Sequence, residues 1–111
     1  MIMIMRGRLT AEYLKSFLSA PEDRQAAMEK LVAASGSKLL GFYFTAGDKD
    51  FLMIAETSAP DKRMATSLAV NSTGMVTDTT TLRAWTCAEF KTVGEMAGDI
   101  LSAYRLPGQA S

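Results

Sequence analysis

Residues that could do chemistry are few in this chain of 111 residues. Histidine is absent, which removes the commonest general base near neutral pH and the commonest metal ligand. Without histidine, neither a Ser-His-Asp triad nor a Cys-His pair can form. We therefore expect no metal site and no cofactor. Any chemistry must come from carboxylates, tyrosines and arginines.

Glu56 is the first of these residues to consider, because it ends the otherwise apolar run 51–55. An ionised carboxylate in a buried strand is costly unless it is paired or lies at the rim. If the preceding hairpin loop has two or four residues, alternation places Tyr43, Ile54 and Glu56 on one face. We predict that this face lines a cavity for a small apolar or aromatic ligand. The competing interpretation is a solvated strand end or a pair with an arginine.

A second candidate pair is Arg83 and Trp85, which alternate onto one face of the last predicted strand. Charge and stacking there would suit a carboxylate-bearing or aromatic ligand. Alternatively, Arg83 pairs with a surface acid and Trp85 packs at a subunit contact. Asp48 and Asp50 are both typical turn residues, and we assign them to a turn.

A β-hairpin must position most of these side chains. Two apolar runs, 39–45 and 51–57, flank the turn Gly47-Asp48-Lys49-Asp50, and this pattern predicts a hairpin. A half-exposed hairpin alternates apolar and polar residues, but these runs are apolar at both sets of alternating positions. We expect the chain's own helices to cover one face and a second subunit to cover the other.

Helix and strand signals divide the rest of the chain. Residues 1–5 are predicted to form a buried strand, and Val76 to Trp85 an edge strand rich in threonine. Helix starts are expected at Thr10, at Pro21, after Ser58, and at Thr86, which has capping-box spacing to Glu89. The apolar stripes predicted for these four helices are Leu14, Phe17 and Leu18; Met28, Leu31 and Val32; Met64, Ala65 and Leu68; and Phe90, Val93, Ala97, Ile100, Leu101 and Tyr104.

This order predicts an α+β fold of the ferredoxin-like βαββαβ type. It has a four-stranded antiparallel sheet, helices on one face and an extra C-terminal helix. Strands one and three should be central because they are the most uniformly apolar. We expect a single domain over residues 1–105, followed by a tail over 106–111.

The chain also resembles a known family over about residues 7–90. The resemblance rests on Gly7-Arg8-Leu9-Thr10, on residues 36–44, on the turn 47–50 leading into 51–56, and on residues 79–84. In these segments it resembles the GYD-domain family, with Lys49 in place of the family tyrosine. The resemblance implies a ferredoxin-like subunit that pairs sheet to sheet into a dimeric α/β barrel. Related barrel families include cofactor-independent monooxygenases, isomerases and ligand-sensing domains.

The composition limits which kinds of partner are expected. Twelve basic residues balance twelve acidic ones and are scattered, so we expect no nucleic-acid partner. No apolar run approaches the roughly 20 residues that span a bilayer, and the single cysteine, Cys87, fits a reducing compartment. We therefore expect a soluble, cytoplasmic protein.

Two functional hypotheses remain. One is a homo-oligomer, dimeric or larger, that binds a small apolar or aromatic ligand or serves as an assembly module. The other is a cofactor-independent monooxygenase or isomerase-like enzyme that uses Tyr43, Glu56 or Arg83 in the barrel interior, where burial would raise the pKa of a carboxylate base.

Overall fold

The computed structural model describes residues 1–108, which form four strands and four helices. The strands are β1 (Ile2–Leu9), β2 (Lys38–Phe44), β3 (Phe51–Glu56) and β4 (Val76–Ala84). The helices are α1 (Ala11–Ser19), α2 (Gln25–Ala34), α3 (Pro60–Ser72) and α4 (Cys87–Ser102). The predicted tail over 106–111 falls partly outside the described residues.

The strands form one antiparallel sheet in the order β2-β3-β1-β4. This is the α+β, ferredoxin-like arrangement that the sequence predicts. The apolar strands β1 and β3 lie at the centre, and β4 lies at an edge, as expected. β1 is longer than predicted and continues to Leu9, whereas β4 ends at Ala84 and leaves Trp85 beyond the strand.

The hairpin register confirms the predicted division into two faces. Tyr43 lies opposite Leu52, and Phe42 lies opposite Met53; directly paired residues share a face. The face with Phe42 and Met53 lies against the helices, whereas the other face, which we call the open face, contributes no residue to the cavities beneath those helices. The buried apolar core consists of Met3, Met5, Val32, Phe51 and Ala55.

Local capping signals determine where most of the helices start. The Thr10 hydroxyl accepts a hydrogen bond from the Tyr13 N–H at 3.2 Å, and Thr86 and Glu89 form the predicted capping box. Pro60 occupies the first turn of α3. The start predicted for α2 at Pro21 is wrong, since the helix begins at Gln25. There the Asp23 carboxylate accepts the N–H of the first helical residue at 2.9 Å.

The inward faces predicted for α1 and α3 need correction. Leu14 and Leu18 of α1, and Met64 and Leu68 of α3, are exposed. Phe17 of the predicted α1 stripe does face inward, together with Tyr13, and α3 instead turns Thr66, Ala69 and Val70 inward. Either face of these short helices offers side chains four residues apart, so docking on the sheet decides which is buried. The stripe predicted for α2 is confirmed, since Met28, Leu31 and Val32 all face the interior.

Helix α4 extends away from the rest of the chain. The molecule measures 69 × 28 × 22 Å, and its radius of gyration is 19.1 Å, against about 13 Å for a compact chain of this length. The helix contains no buried residue, and Ile100 on its predicted apolar stripe is 72% exposed. Within residues 1–108, no helix is both long enough and apolar enough to cross a bilayer.

Candidate ligand-binding site

A cavity of about 660 Å³, which we call the large cavity, lies between the sheet and helices α1, α2 and α3. Phe42, Phe51 and Met53 line it from the helix-facing side of the sheet, and Phe17 and Met28 line it from the helices. Sites for small molecules typically have volumes of about 300–1,000 Å³ and mainly apolar walls. The large cavity therefore has the size and the surface of a ligand site.

Aromatic rings form one wall of the large cavity. The Phe42 ring stacks on Phe51, with centroids 5.9 Å apart and planes 13° apart, and meets Phe44 edge-on at 5.2 Å. Tyr13 stacks on Phe17 at 6.1 Å within α1 and lies 6.5 Å from Phe44. This wall offers ring faces and edges to an aromatic or other apolar ligand.

Methionines supply much of the remaining lining. Five of the eight methionines line this cavity or a smaller one beside it: Met3, Met5, Met28, Met53 and Met75. Methionine side chains have three rotatable bonds and a polarisable sulfur, so they adapt to the shape of what they enclose. The lining can therefore adjust to ligands of different outline.

The charged residues lining the large cavity already form an ion pair. An Arg24 guanidinium nitrogen, Nη1, lies 2.6 Å from Glu22 Oε1, and both residues belong to the segment that joins α1 to α2. Because each of these charges is neutralised by the other, the pair does not require a charged ligand.

A smaller cavity of about 40 Å³ adjoins the large one, and Met5, Met53 and Thr66 line both. Arg63 of α3 lies in its wall. The Arg63 Nε atom is buried and has no hydrogen-bond acceptor within reach among residues 1–108. This buried N–H without an acceptor distinguishes the small cavity from the large one.

Three of the residues predicted to bind a ligand lie on the open face, the face on which the sequence predicts them. Tyr43, Ile54 and Glu56 line neither cavity, and Tyr43 is 59% exposed. Tyr43 is paired with Leu52, four residues before Glu56, so the two polar side chains are roughly 13 Å apart along the strand. Tyr43 and Glu56 share a face, as predicted, but they do not converge on an enclosed space in this chain.

The other two predicted residues, Arg83 and Trp85, lie together but apart from the first three. Arg83 pairs with Met3 across β1 and β4, which places it on the helix-facing side at the sheet edge. Its guanidinium carbon lies 4.6 Å from the centroid of the Trp85 ring, a cation–π contact. Neither residue lines the cavities described above.

The hairpin turn has a structural role, in agreement with the assignment of its aspartates. Asp48 Oδ1 accepts a hydrogen bond from Arg6 Nη2 at 2.9 Å, and this bond and the charge of Arg6 lower the pKa of Asp48. Asp50 Oδ2 accepts the Leu9 N–H at 2.9 Å. Both carboxylates therefore fasten the turn to β1.

Lys49 ties the same turn to β4. Its side chain is 12% exposed, and its Nζ lies 2.7 Å from Asp78 Oδ2 and donates to the Asp78 carbonyl at 2.8 Å. The hydrogen bond and the positive charge of Lys49 lower the pKa of Asp78. Asp78 has a φ of +51° and lies where the β1–β4 register shifts between Arg6 and Arg8, so Lys49 holds this irregular segment of β4.

Tyr13, Arg24 and Arg63 are among the residues lining the cavities that were not identified from the sequence. The i, i+4 spacing of Tyr13 and Phe17 is a signal for one of them, although Leu14 and Leu18 have the same spacing. Arg63 has no comparable signal. Residues 1–108 contain no group of three or more metal-ligating side chains arranged to hold an ion.

The fold and the cavities define a small α+β protein of ferredoxin-like topology with a ligand-sized cavity beneath its sheet. A family model of the GYD domain matches residues 3–93. The chain therefore belongs to the GYD-domain family, which confirms the resemblance found in its hairpin and strands. A search of curated proteins found no match to this chain.

Proposed function

We propose that this protein binds a small apolar or aromatic molecule in the large cavity, as a homo-oligomer without a catalytic step of its own. The observation that carries the proposal is the cavity of about 660 Å³ lined by phenylalanine and methionine. The site differs from the barrel interior expected from the sequence, because it lies on the helix-facing side of the sheet. A catalytic role for Tyr43, Glu56 or Arg83 has no support from this geometry, since none of the three lines a described cavity.

A neutral aromatic probe, 4-phenylbutan-1-ol, tests the binding proposal. With carbon-13 in the methionine methyl groups, NMR should show shifts at Met28 and Met53, which line the large cavity. Met64, on the outer side of α3, and Met96, on α4, are both exposed and should not respond. Shifts spread over all methyl groups, or none at saturating probe, would contradict the proposal.

A matched pair of variants on α3 strengthens this test. Ala69 lines the large cavity, whereas Ala65, one turn earlier, does not. Ala69→Phe should fill part of the cavity and weaken binding at least tenfold, and Ala65→Phe should leave it unchanged. Equal loss in both variants would show that the probe binds elsewhere.

Assembly is the second part of the proposal. Leu82 on the open face is 48% exposed, and it pairs with Ile4, which in turn pairs with Ile54. These three side chains form an apolar row across β4, β1 and β3. We expect the open face of a second copy to cover this row, as in a dimeric α/β barrel.

Helix α4 supports the same assembly. Five large apolar side chains of α4 are exposed: Phe90, Val93, Met96, Ile100 and Leu101. If each side chain buries on the order of 100 Å² of apolar surface, the five supply about 500 Å². Each partner buries roughly 800 Å² in a standard interface. Together with the open face, α4 therefore provides enough apolar surface for a stable dimer.

Light scattering during size exclusion, at several concentrations, tests the assembly. The native chain should have at least twice the mass of one chain. Leu82→Glu on the open face and Leu101→Glu on α4 should both weaken association, whereas Thr92→Glu on the polar side of α4 should not. A native mass equal to one chain at every concentration would refute the assembly.

A reducing compartment such as the cytoplasm is the expected location. The single cysteine, Cys87, is exposed and unpaired in the described structure. Such a thiol stays free most readily where glutathione and thioredoxin keep thiols reduced. Localisation of the tagged native protein in its own cells would test this expectation.

A further inference from the structure

An unpaired N–H of Arg63 in the wall of the small cavity indicates which ligands fit. Arg63 Nε is buried without an acceptor in reach among residues 1–108, and no carboxylate of that part of the chain lies within ion-pair distance of Arg63. Buried guanidinium N–H groups are normally hydrogen-bonded, because an unpaired charged donor is costly. An acceptor from outside the chain would satisfy this N–H once the Arg63 side chain turns it toward the small cavity.

A second donor lies in the same wall. The Thr57 hydroxyl oxygen accepts the Ala59 N–H at 3.2 Å, which leaves its hydroxyl hydrogen to donate elsewhere. Thr66, in contrast, donates its hydroxyl hydrogen to the Lys62 carbonyl. Arg63 and Thr57 thus both line the small cavity with donor capacity to spare.

The two cavities together have an asymmetric shape. At about 40 Å³ the small cavity holds only a few atoms, whereas the large cavity of about 660 Å³ holds a ring or a chain. Met5, Met53 and Thr66 line both. A molecule with a compact polar head and an apolar body would match this pair of cavities.

We propose that the ligand is a carboxylic acid with an aromatic or aliphatic body, whose carboxylate accepts hydrogen bonds from Arg63. This inference rests on the proposed function, since the body of the acid occupies the large cavity. A carboxylate fits because it is small, has no proton to donate, and forms charge-assisted hydrogen bonds with guanidinium groups. Arg24 is not the cation used, because Glu22 already neutralises it at 2.6 Å.

A matched pair of probes tests the inference: 4-phenylbutanoate and 4-phenylbutan-1-ol share the same body and differ in the head group. By calorimetry, we expect the native protein to bind the acid about tenfold more tightly, as one charge-assisted hydrogen bond predicts. Arg63→Met should abolish this preference and keep the affinity for the alcohol. Arg24→Met should keep the preference, and Arg63→Lys, which retains the charge, should keep part of it.

The possible outcomes separate this inference from the proposed function. If the native protein binds both probes equally, or if Arg63→Met still prefers the acid, the assignment of Arg63 is overturned while ligand binding stands. If neither probe binds, the proposed function is overturned as well. The methionine methyl spectrum of each variant serves as the check on folding, because Met28 and Met75 line the large cavity and not the wall that contains Arg63.

Discussion

Replacing Gly7 with alanine tests whether the floor of the large cavity packs as described. A Cβ at Gly7 would lie 2.7 Å from Phe51 Cζ, 2.8 Å from Phe51 Cε1 and 3.0 Å from Thr79 Cγ2. Ordinary contacts of this kind begin near 3.4 Å, so the Phe51 ring would have to retreat by about 0.7 Å. Phe51 is only 4% exposed and stacks on Phe42, so the ring has little room to move.

The magnitude follows from two opposing effects. Overpacking of this kind costs about 1–3 kcal/mol, whereas replacing glycine restricts the unfolded chain and returns about 0.4–1 kcal/mol. We expect Gly7→Ala to lower the free energy of unfolding by about 1–2 kcal/mol, or Tm by roughly 4–8 °C. Because the displaced ring lines the large cavity, the affinity for 4-phenylbutan-1-ol should fall too.

A double-mutant cycle with Phe51→Leu identifies the cause. The smaller leucine side chain relieves the contact, so Gly7→Ala should cost at least about 1 kcal/mol less in that background. Urea unfolding followed by circular dichroism measures all four proteins. Equal costs in both backgrounds, or a Gly7→Ala variant as stable as the native chain, would refute the packing argument.

Three further predictions concern the turn and α4. Lys49→Met should lower Tm, because Lys49 fastens the turn to Asp78, whereas Lys91→Met should not, since the Lys91 pair with Glu95 is exposed and 3.7 Å long. The folded-state pKa of Asp78 is lowered. The ion pair with Lys49 therefore stabilises the fold above the ordinary aspartate pKa of about 4, and this stabilisation is lost as the pH falls below that value. In Lys49→Met, the free energy of unfolding should lack this contribution to its pH dependence. Thr86→Ala removes the cap of α4 and should speed amide exchange in its first turns up to about tenfold, and Thr92→Ala should have no such effect.

The hairpin and the starts of α1, α3 and α4 could be predicted because their causes are local. Alternation along two short runs and the turn residues between them fix which side chains share a face, and the register of Tyr43 with Leu52 agrees. The side chains of Thr10 and Thr86 satisfy amides three residues away. Such effects can be read within a few residues of sequence.

The large cavity could not be predicted, because it depends on distant elements meeting at particular faces. Phe17, Met28 and Met53 belong to α1, α2 and β3, and only the docking of those elements makes them neighbours in one wall. The docking of α1 likewise decides that Phe17 faces inward and Leu18 does not. Sequence patterns identify the candidates for burial, whereas tertiary docking selects among them.

Several apolar residues are left uncovered by the single chain: Leu82, Ile100 and Leu101 are exposed, and Ile4 and Ile54 are half-buried. Ile4, Ile54 and Leu82 on the open face, and Ile100 and Leu101 on α4, follow regular strand and helix periodicities, which normally indicate a buried face. Single exposed apolar residues need no explanation, but large contiguous apolar patches on a chain typically mark an interface. The periodicity of these residues predicts burial, and a second copy of the chain would supply it. We therefore propose that the sequence specifies the oligomer as its folded unit, rather than the isolated chain.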